Sequence, residues 1–455
     1  MDDELMNNDY VDQFESMLEN NDTIFFDSEQ MCEIIAFYLE IGDYEYAQKA
    51  LEYAYQLYPD NTNIQIKELE YYIYIDELVA ATEIIRKLRD LAQNDLDYLL
   101  AVAKYWSLKN NPKLAIQFYQ KALMWDEELD YIYNCIGSEY LHLDALSSAL
   151  VYFKKSLDEN PQNEFAFYSA IQCYEELHQT NECIEFLNHI IDQDPYNENA
   201  WYQLGTLYSS QKKYQEALRA FDFVTIINPQ NISGYNQKAF CFEQLQDYTA
   251  AILEYQEILP LDDTAAFTYI KIGECYKKLK QPFKALQAFH KAIHDDPLLE
   301  KAWICTSDLY ESLGNYQDAM YYLDRALDLD ANVSDYRKRH AYLNIQLGQY
   351  EEAIQDYQFL TEHDPLNLYN WLGMVETLIA IGDYSRAVET IHKGLVHFNR
   401  AELLYQLSNC YYLLNEEEKG LNAFQLAVRL DESIKVEMYK KYPILFNRTS
   451  FLFEE

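Results

Sequence analysis

Apolar and polar side chains alternate along this chain with the period of short amphipathic helices. Between residues 199 and 229, Trp201, Leu204 and Tyr208 recur at intervals of three and four, and a second apolar stripe begins at Ala217. This spacing places the apolar side chains on one face of a helix. Polar residues separate the two stripes, so the segment predicts two helices joined by a short loop.

The same helix pair recurs with a period of 34 residues along nearly the whole chain. Self-similarity at a fixed period is typical of a repeat architecture, in which neighbouring repeats bury each other's apolar faces. The pattern predicts twelve repeats, the last of which starts one residue early. Their predicted first residues are Ser28, Thr62, Leu96, Asp130, Glu164, Glu198, Ile232, Ala266, Glu300, Ser334, Leu368 and Ala401.

Several columns of this register have a structural meaning. The twentieth position, such as Ala217, is small in every repeat, which lets two helices approach closely. The eleventh is aromatic in ten of twelve repeats, with Asn344 and Leu378 as the exceptions. Glycine at the fifteenth position in four repeats predicts a left-handed residue that ends the first helix. Proline at the thirty-second position in six repeats ends the second helix.

One repeat also carries a family pattern, W-x2-L-G-x2-Y followed by A-x3-F and P. The pattern is met by Trp201, Leu204, Gly205, Tyr208, Ala217, Phe221 and Pro229. The chain therefore resembles the tetratricopeptide-repeat (TPR) family. The resemblance implies an all-α fold, an α-solenoid that winds as a right-handed superhelix of about twelve helix-turn-helix repeats with capping helices. It also implies that the first helix of each repeat lines a concave groove.

The ends of the chain predict caps, because the terminal repeats of a solenoid need a polar outer face. Residues 1–27 are predicted to form an N-terminal capping helix, 28–433 the twelve tandem TPR repeats, and 434–455 a C-terminal capping helix with an apolar tail. Pro443 is expected to stop the closing helix. The tail either folds back on the last repeat or docks into a partner molecule. Its apolar side chains include Phe446, Phe451, Leu452 and Phe453.

The net negative charge of the chain disfavours anionic partners. Asp and Glu total 76 against 35 Lys and Arg, which gives a formal charge of -41 that repels phosphates and anionic lipid. We therefore predict no nucleic-acid partner and no membrane insertion. Because the first residues are acidic and no apolar leader segment follows them, the sequence predicts a cytoplasmic protein.

The candidate chemistry of the sequence is sparse. No phosphate-binding loop or hydrolase motif is present, so we predict no enzymatic activity and no cofactor. His290 and His294 have the spacing of metal ligands, but both are expected on an outer helix, where surface histidine is ordinary, and no metal is predicted. The eight cysteines suit a reducing compartment and are predicted to be free thiols. Four of them share the tenth position, where they act as core filler: Cys173, Cys241, Cys275 and Cys410.

The resemblance implies a non-enzymatic scaffold or adaptor that binds a peptide or partner helix in its groove. Two alternatives are a self-assembly module that makes homo-oligomers and a regulatory subunit of an enzyme complex. Relatives that bind peptide carboxylates use a fixed set of Lys, Asn and Arg positions. That set is not matched here, since Cys305 and Tyr342 occupy two of its places.

A local reversal of charge predicts where a partner binds. The repeat from Ala266 to Leu299 has six lysines against three acidic residues, and aromatic positions of first helices precede it. Such a groove, between residues 164 and 367, matches a peptide with apolar anchors followed by acids. The alternative is that the cations only offset carboxylates such as Glu243, Glu274 and Asp308. The predicted partner-binding residues are Phe165, Tyr168, Tyr202, Phe240, Phe267, Lys271, Lys277, Lys301, Lys338 and Arg339.

Overall fold

A computed structural model of the chain describes residues 2–20, 23–262 and 264–449, with side chains from residue 9 onward. Over these ranges the secondary structure consists of α-helices and one short 3₁₀ helix. The predicted all-α solenoid class is therefore confirmed. The chain divides into two compact parts, an N-terminal lobe of residues 1–189 and a C-terminal lobe of residues 190–455.

In the N-terminal lobe a single helix precedes a series of helix pairs. The helices are α1 Asp2–Asn20, α2 Ser28–Glu40, α3 Tyr44–Leu57, α4 Thr62–Tyr74, α5 Leu78–Leu88, α6 Leu96–Leu108, α7 Pro112–Ala122, the 3₁₀ helix Leu123–Trp125, α8 Leu129–His142, α9 Leu146–Glu159 and α10 Glu164–Glu176. Helix α11, Thr180–Gln193, includes the boundary between the lobes.

The C-terminal lobe continues the pairs and ends in two short helices. Its helices are α12 Glu198–Ser210, α13 Tyr214–Ile227, α14 Ile232–Gln244, α15 Tyr248–Ile258, α16 Ala266–Lys278, α17 Pro282–Asp295, α18 Glu300–Ser312, α19 Tyr316–Leu329, α20 Ser334–Gln346, α21 Tyr350–His363, α22 Leu368–Ala380, α23 Tyr384–His397, α24 Ala401–Leu413, α25 Glu417–Leu430, α26 Lys435–Lys441 and α27 Pro443–Thr449.

The first helices of the pairs begin where the sequence register places the repeat starts. Eleven of the twelve coincide with the predicted residue, and α8 begins at Leu129, one residue before the predicted Asp130. The shift follows an irregular link in which Asp126 and Glu128 both adopt left-handed backbone conformations. Nothing in the 34-residue period signals that link, because it lies between repeats.

Every first helix ends at a residue with positive φ, at the fifteenth position of its repeat. Glycine occupies four of these positions, as predicted, and other residues occupy eight. After α12, the Lys213 amide donates to the Tyr208 carbonyl at 2.9 Å, which is the six-to-one bond of a helix terminus closed by a left-handed residue. The non-glycine residues at this position are Asp76, Asn110, Asp144, His178, Lys212, Gln246, Lys280 and Asn415.

The two helices of a repeat are held together by small side chains against a ring. Ala217 is fully buried between α12 and α13. A Cβ atom added to Gly205 on α12 would stand 2.6 Å from the buried ring of Phe221 on α13. The same contact joins Gly137 to Phe153 and Gly273 to Phe289. These close approaches require a glycine at the eighth position of three repeats, whereas the fully buried Ala217 belongs to the small-residue column at the twentieth position.

The terminal helices pack on the outermost repeats. Phe14 of α1 is buried against the first pair, with its ring 6.3 Å from that of Tyr38. At the other end the closing helix stops before Pro443, as predicted, but Pro443 also begins a second short helix, α27. Leu445 of α27 is buried in the core of the last repeats, so the tail folds back on the last repeat as far as residue 449. Phe451, Leu452 and Phe453 lie outside the described residues.

A buried ionic network replaces the ring in the repeat where Asn344 occupies the eleventh position. Asp356, which is 3% exposed, accepts hydrogen bonds from His340 Nδ1 at 2.6 Å and Asn344 Nδ2 at 3.2 Å, and pairs with Arg337 at 3.3 Å. The other ring nitrogen of His340 lies 3.1 Å from Asp324. Since both nitrogens face carboxylates, the ring is held as an imidazolium. Burial by itself lowers the pKa of His340, but these two carboxylates outweigh it and raise the pKa to about 9.

The turn geometry predicts a reciprocal pair of stability effects. Lys212, with φ of 60°, occupies a left-handed position that glycine adopts without strain. We expect Lys212→Gly to raise the free energy of unfolding by about 1 kcal/mol. Gly314→Lys at the equivalent turn, where a Cβ atom would meet no neighbour, should lower it by a similar amount. Urea denaturation followed by circular dichroism measures the free energy of unfolding of both variants. If the two substitutions changed it in the same direction, the left-handed turn would not be the cause.

The His340 network predicts a specific loss of stability at alkaline pH. Because the folded pKa lies above the unfolded value of 6.5, the stabilisation is complete below pH 6.5 and is lost as the pH rises through 9. The loss reaches up to about 3 kcal/mol of unfolding free energy. Chemical denaturation at pH 6 and pH 9.5 should show this difference between the native chain and His340→Gln. A pH dependence that is identical in both chains would exclude the network as its source.

Candidate functional site

Most of the predicted partner-binding residues lie on first helices of the C-terminal lobe. Tyr202 lies on α12, Phe240 on α14, three residues on α16, one on α18 and two on α20. We call this set the lysine–aromatic face: Tyr202, Phe240, Phe267, Lys271, Lys277, Lys301, Lys338 and Arg339. Helices α16 and α18 pack directly against each other, so side chains on the two helices are neighbours. Phe165 and Tyr168 belong to α10 of the N-terminal lobe and are described separately.

The aromatic members differ in how far they face solvent. Phe267 is 59% exposed and Phe240 is 41% exposed. Tyr202 is half-buried and lies edge-on against the core ring of Phe221, with centroids 5.7 Å apart. Phe240 packs edge-on against Tyr214 at 6.4 Å. The rings are thus anchored in part and retain apolar surface that a ligand can cover.

The two aromatic residues of α10 have a similar arrangement. Phe165 is 56% exposed and its ring contacts the buried ring of Phe153 at 6.0 Å. Tyr168 is 43% exposed and packs edge-on against Phe167 at 5.1 Å. Both side chains therefore offer apolar surface within the N-terminal lobe.

A surplus of positive charge lies beside Phe267. The ammonium groups of Lys271 and Lys301 both approach the single carboxylate of Glu274, at 3.5 and 3.9 Å. Lys277 forms no ion pair with any residue that the structure describes. It lines a cleft of about 730 Å³ with Lys278, Glu243 and Glu274. Two of the predicted cations therefore share one acid, and a third is unpaired.

The two cations of α20 are neutralised to different degrees. Arg339 pairs with Asp308 and, at 2.9 Å, with Glu311, both on α18. Its guanidinium thus ties neighbouring first helices together, which agrees with the alternative that cations offset nearby carboxylates. Among the residues that the structure describes, Lys338 pairs only with Asp335 of its own helix at 3.5 Å, and the Asp335 side chain is 84% exposed. Exposed ion pairs of this kind contribute little to stability, so the Lys338 ammonium group separates readily from its partner.

Two exposed rings extend the face beyond the residues selected from sequence. Tyr342 on α20 is 42% exposed and Tyr369 on α22 is 79% exposed. They occupy the ninth and second positions of their repeats, the same columns as Phe240 and Phe267. Their repeat positions were the only indication of these two rings in the sequence. The predicted partner-binding residues did not include them, because that prediction was based on the local reversal of charge.

The histidines considered as metal ligands have other partners. His290 Nε2 lies 2.9 Å from the hydroxyl of Tyr322 and its ring stacks on the same tyrosine. Burial lowers the pKa of His290. Over residues 9–20, 23–262 and 264–449, no group of three His, Cys, Asp or Glu side chains is placed to hold a metal ion.

All eight cysteines are free thiols. The four at the tenth position are buried, as the core-filler prediction requires. Burial raises the pKa of Cys173 and Cys241 to about 11, and that of Cys410 to about 12. Since the thiolate is the nucleophile, these side chains are unreactive at neutral pH.

Family comparisons agree with the helix pairs. Three models described as tetratricopeptide repeat match residues 202–266 and 280–334, 344–398, and 401–434. A fourth model, described as anaphase-promoting complex, cyclosome, subunit 3, matches residues 142–224. The chain belongs to the tetratricopeptide-repeat family. TPR proteins stack helix pairs into extended surfaces that are used for binding.

Individual similar proteins are distant. The Dictyostelium discoideum tetratricopeptide repeat protein 4 homolog is 28% identical over 104 residues, which is 20% of this chain and 26% of that protein. This chain thus spans about a quarter of that relative. The APC/C hetero-tetramer Cut9-Hcn1 contains a 14% identical chain, with a TM-score of 0.33, covering 90% of this chain and 94% of that one. The C-terminal part of a TPR protein from Cytophaga hutchinsonii is 14% identical, with a TM-score of 0.39, covering 60% and 99%.

No helix in the described ranges is both long enough and apolar enough to cross a membrane.

Thiol burial predicts a two-stage labelling experiment. In the folded TPR protein, the partly exposed Cys32, Cys135 and Cys305 should react with a thiol reagent at pH 7.5 faster than the five buried thiols, and still slowly, because burial raises the pKa of these three as well. All eight should react after denaturation without reductant. Mass spectrometry of alkylated peptides identifies the sites. Rapid native labelling of Cys173 or Cys410 would show that the tenth column is not packed as described.

Proposed function

We propose that this TPR protein is a non-enzymatic interaction scaffold whose lysine–aromatic face binds a peptide with apolar anchors followed by acidic residues. The observation that carries the proposal is the position of Phe267 one helical turn before Lys271 on α16. Side chains at i and i+4 lie on one face of a helix, so an exposed ring and a cation are presented together. Lys301 on the adjacent helix reaches the same Glu274 as Lys271.

The rings supply the apolar part of the site. Phe240 and Phe267 are on consecutive first helices and keep 41% and 59% of their surface exposed. Binding energy in protein interfaces concentrates at a few aromatic and arginine side chains that lose their water on contact. A peptide that covers these rings therefore gains most of its affinity there.

The cations supply specificity for acidic residues. Two ammonium groups around Glu274 leave one uncompensated positive charge, and Lys277 adds a second. The rest of the chain is acidic, but at physiological salt the Debye length is about 8 Å, so distant carboxylates are largely screened. An acidic residue that reaches contact with Lys271 and Lys301 is therefore attracted. Arg339 contributes less, because two carboxylates already neutralise it.

A selection from random peptides tests the chemistry without knowing the native partner. Peptides displayed on phage and selected on the native chain should be enriched in aromatic or large apolar residues followed by acids. With Lys271→Glu and Lys301→Glu together, the best synthetic peptide should bind roughly tenfold more weakly, or about 1.4 kcal/mol. The thermal midpoint should hardly change, because exposed substitutions have small effects. Fluorescence anisotropy measures the affinity.

A matched control separates local from overall charge. Lys113→Glu with Lys154→Glu makes the same change in net charge on two exposed side chains of second helices, α7 and α9. Peptide affinity should be retained in this control. The proposed site would be contradicted if both double variants lost peptide affinity equally. It would also be contradicted if the selected peptides were not enriched in acidic residues.

A further inference from the structure

We infer that the lysine–aromatic face is occupied by residues 450–455 of a second copy of this chain. The inference rests on the proposed function, because it names the occupant of that face. The segment reads Ser450, Phe451, Leu452, Phe453, Glu454 and Glu455, which is three large apolar side chains followed by two carboxylates. This is the order of chemistry that the exposed rings and the surplus lysines of the face require.

The chain leading to this segment is fixed in place. Leu445 of α27 is buried, and Arg448 pairs with Glu417 of α25. Thr449 is also buried, and its hydroxyl lies 3.0 Å from that of Tyr439. Residues from 450 onward therefore start from an anchored point at the last repeat.

Phe451 cannot reach Phe267 or Lys271 of its own chain. Phe451 is two residues beyond Thr449, and two residues span at most about 7 Å. The last first helix, α24, is separated from α16 by α18, α20 and α22 along the array. Packed helix axes are roughly 8–10 Å apart, so the distance to Phe267 and Lys271 is several times the reach. A Phe451 side chain that contacts Phe267 or Lys271 must therefore come from another molecule.

An extended segment divides its side chains between two sides. Successive residues of an extended chain point in opposite directions, with a spacing of about 6.6–7 Å between residues i and i+2. Phe451, Phe453 and Glu455 then lie on one side, and Leu452 and Glu454 on the other. In the proposed complex, Phe451, Phe453 and Glu455 contact the face. The two phenylalanine rings lie toward Phe240 and Phe267, and the Glu455 carboxylate lies toward the lysines at 271 and 301.

The resulting association is head-to-tail. Helix α27, which the segment follows, and helix α16 are different parts of the C-terminal lobe, so the contact uses a different surface on each copy. Contacts of this kind produce a two-fold dimer where two copies exchange their segments reciprocally, and rings or open chains where they do not. The average mass in solution should therefore increase with concentration.

The primary test compares the full chain with a chain that ends at Thr449. In sedimentation velocity, the full chain should form oligomers as its concentration rises, and the shortened chain should stay monomeric with an unchanged thermal midpoint. A fluorescein-labelled peptide of residues 450–455 should bind the shortened chain. Glu455→Lys in the peptide should weaken binding at least tenfold, and more than Glu454→Lys does.

A charge exchange identifies the face as the receptor. The shortened chain carrying Lys271→Glu and Lys301→Glu should lose the native peptide and gain affinity for the peptide with Glu454→Lys and Glu455→Lys. Oligomers that persist without residues 450–455, or a peptide that binds both shortened chains equally, would overturn the inference. A lower thermal midpoint on shortening, without peptide binding, would also overturn it, since the tail then packs on its own chain.

The two proposals fail in different ways. If phage selection yields aromatic-acidic peptides that need Lys271 and Lys301, but the 450–455 peptide does not bind, the face is a receptor for a different protein and only the self-association is wrong. If no peptide class is selected on the face, the proposed function is wrong as well.

Discussion

The close contact between the two helices of each repeat is the constraint on which the structure depends. Gly205 and Ala217 leave no room for larger side chains, and the ring of Phe221 fills the space between them. An added Cβ atom 2.6 Å from that ring would force it to move. Because the contacts between the two helices are local and a small twentieth residue recurs in every repeat, each repeat is specified by its own sequence and requires only its neighbours for burial.

This arrangement leaves exposed side chains on first helices such as α14 and α16, where Phe240 and Phe267 face solvent. The small-residue and aromatic columns face the second helix and the neighbouring repeat, so the remaining positions of the first helix are free to vary. In the C-terminal lobe these positions hold Phe240, Phe267, Lys271 and Lys301. The proposed function rests on those variable positions, whereas the periodic positions determine how the helices pack.

The sequence register predicted the helix starts well, because they depend on local periodicity. It did not predict what occurs where the period is broken. Asn344 is an exception in an aromatic column, and only the structure shows that it hydrogen-bonds to the buried Asp356. The second closing helix was also missed, since Pro443 signals the end of one helix and equally the first turn of another. Which cations share a carboxylate depends on side-chain placement between helices, so the pairing of Lys271 and Lys301 with Glu274 could not be read from spacing.

The overall charge makes the local surplus on α16 more selective. Residues 1–80 contain two lysines and twenty carboxylate side chains, and the whole chain carries a formal charge of -41. An acidic ligand that comes close to the chain would be repelled by its acidic surface, and in the proposed site contact with Lys271 and Lys301 would offset that repulsion. A purely acidic peptide gains too little from one or two uncompensated charges, and a purely apolar one gains nothing from Lys271 or Lys301. In the proposed site, selectivity would follow from requiring both kinds of contact at once, so that a ligand with only one of them binds more weakly.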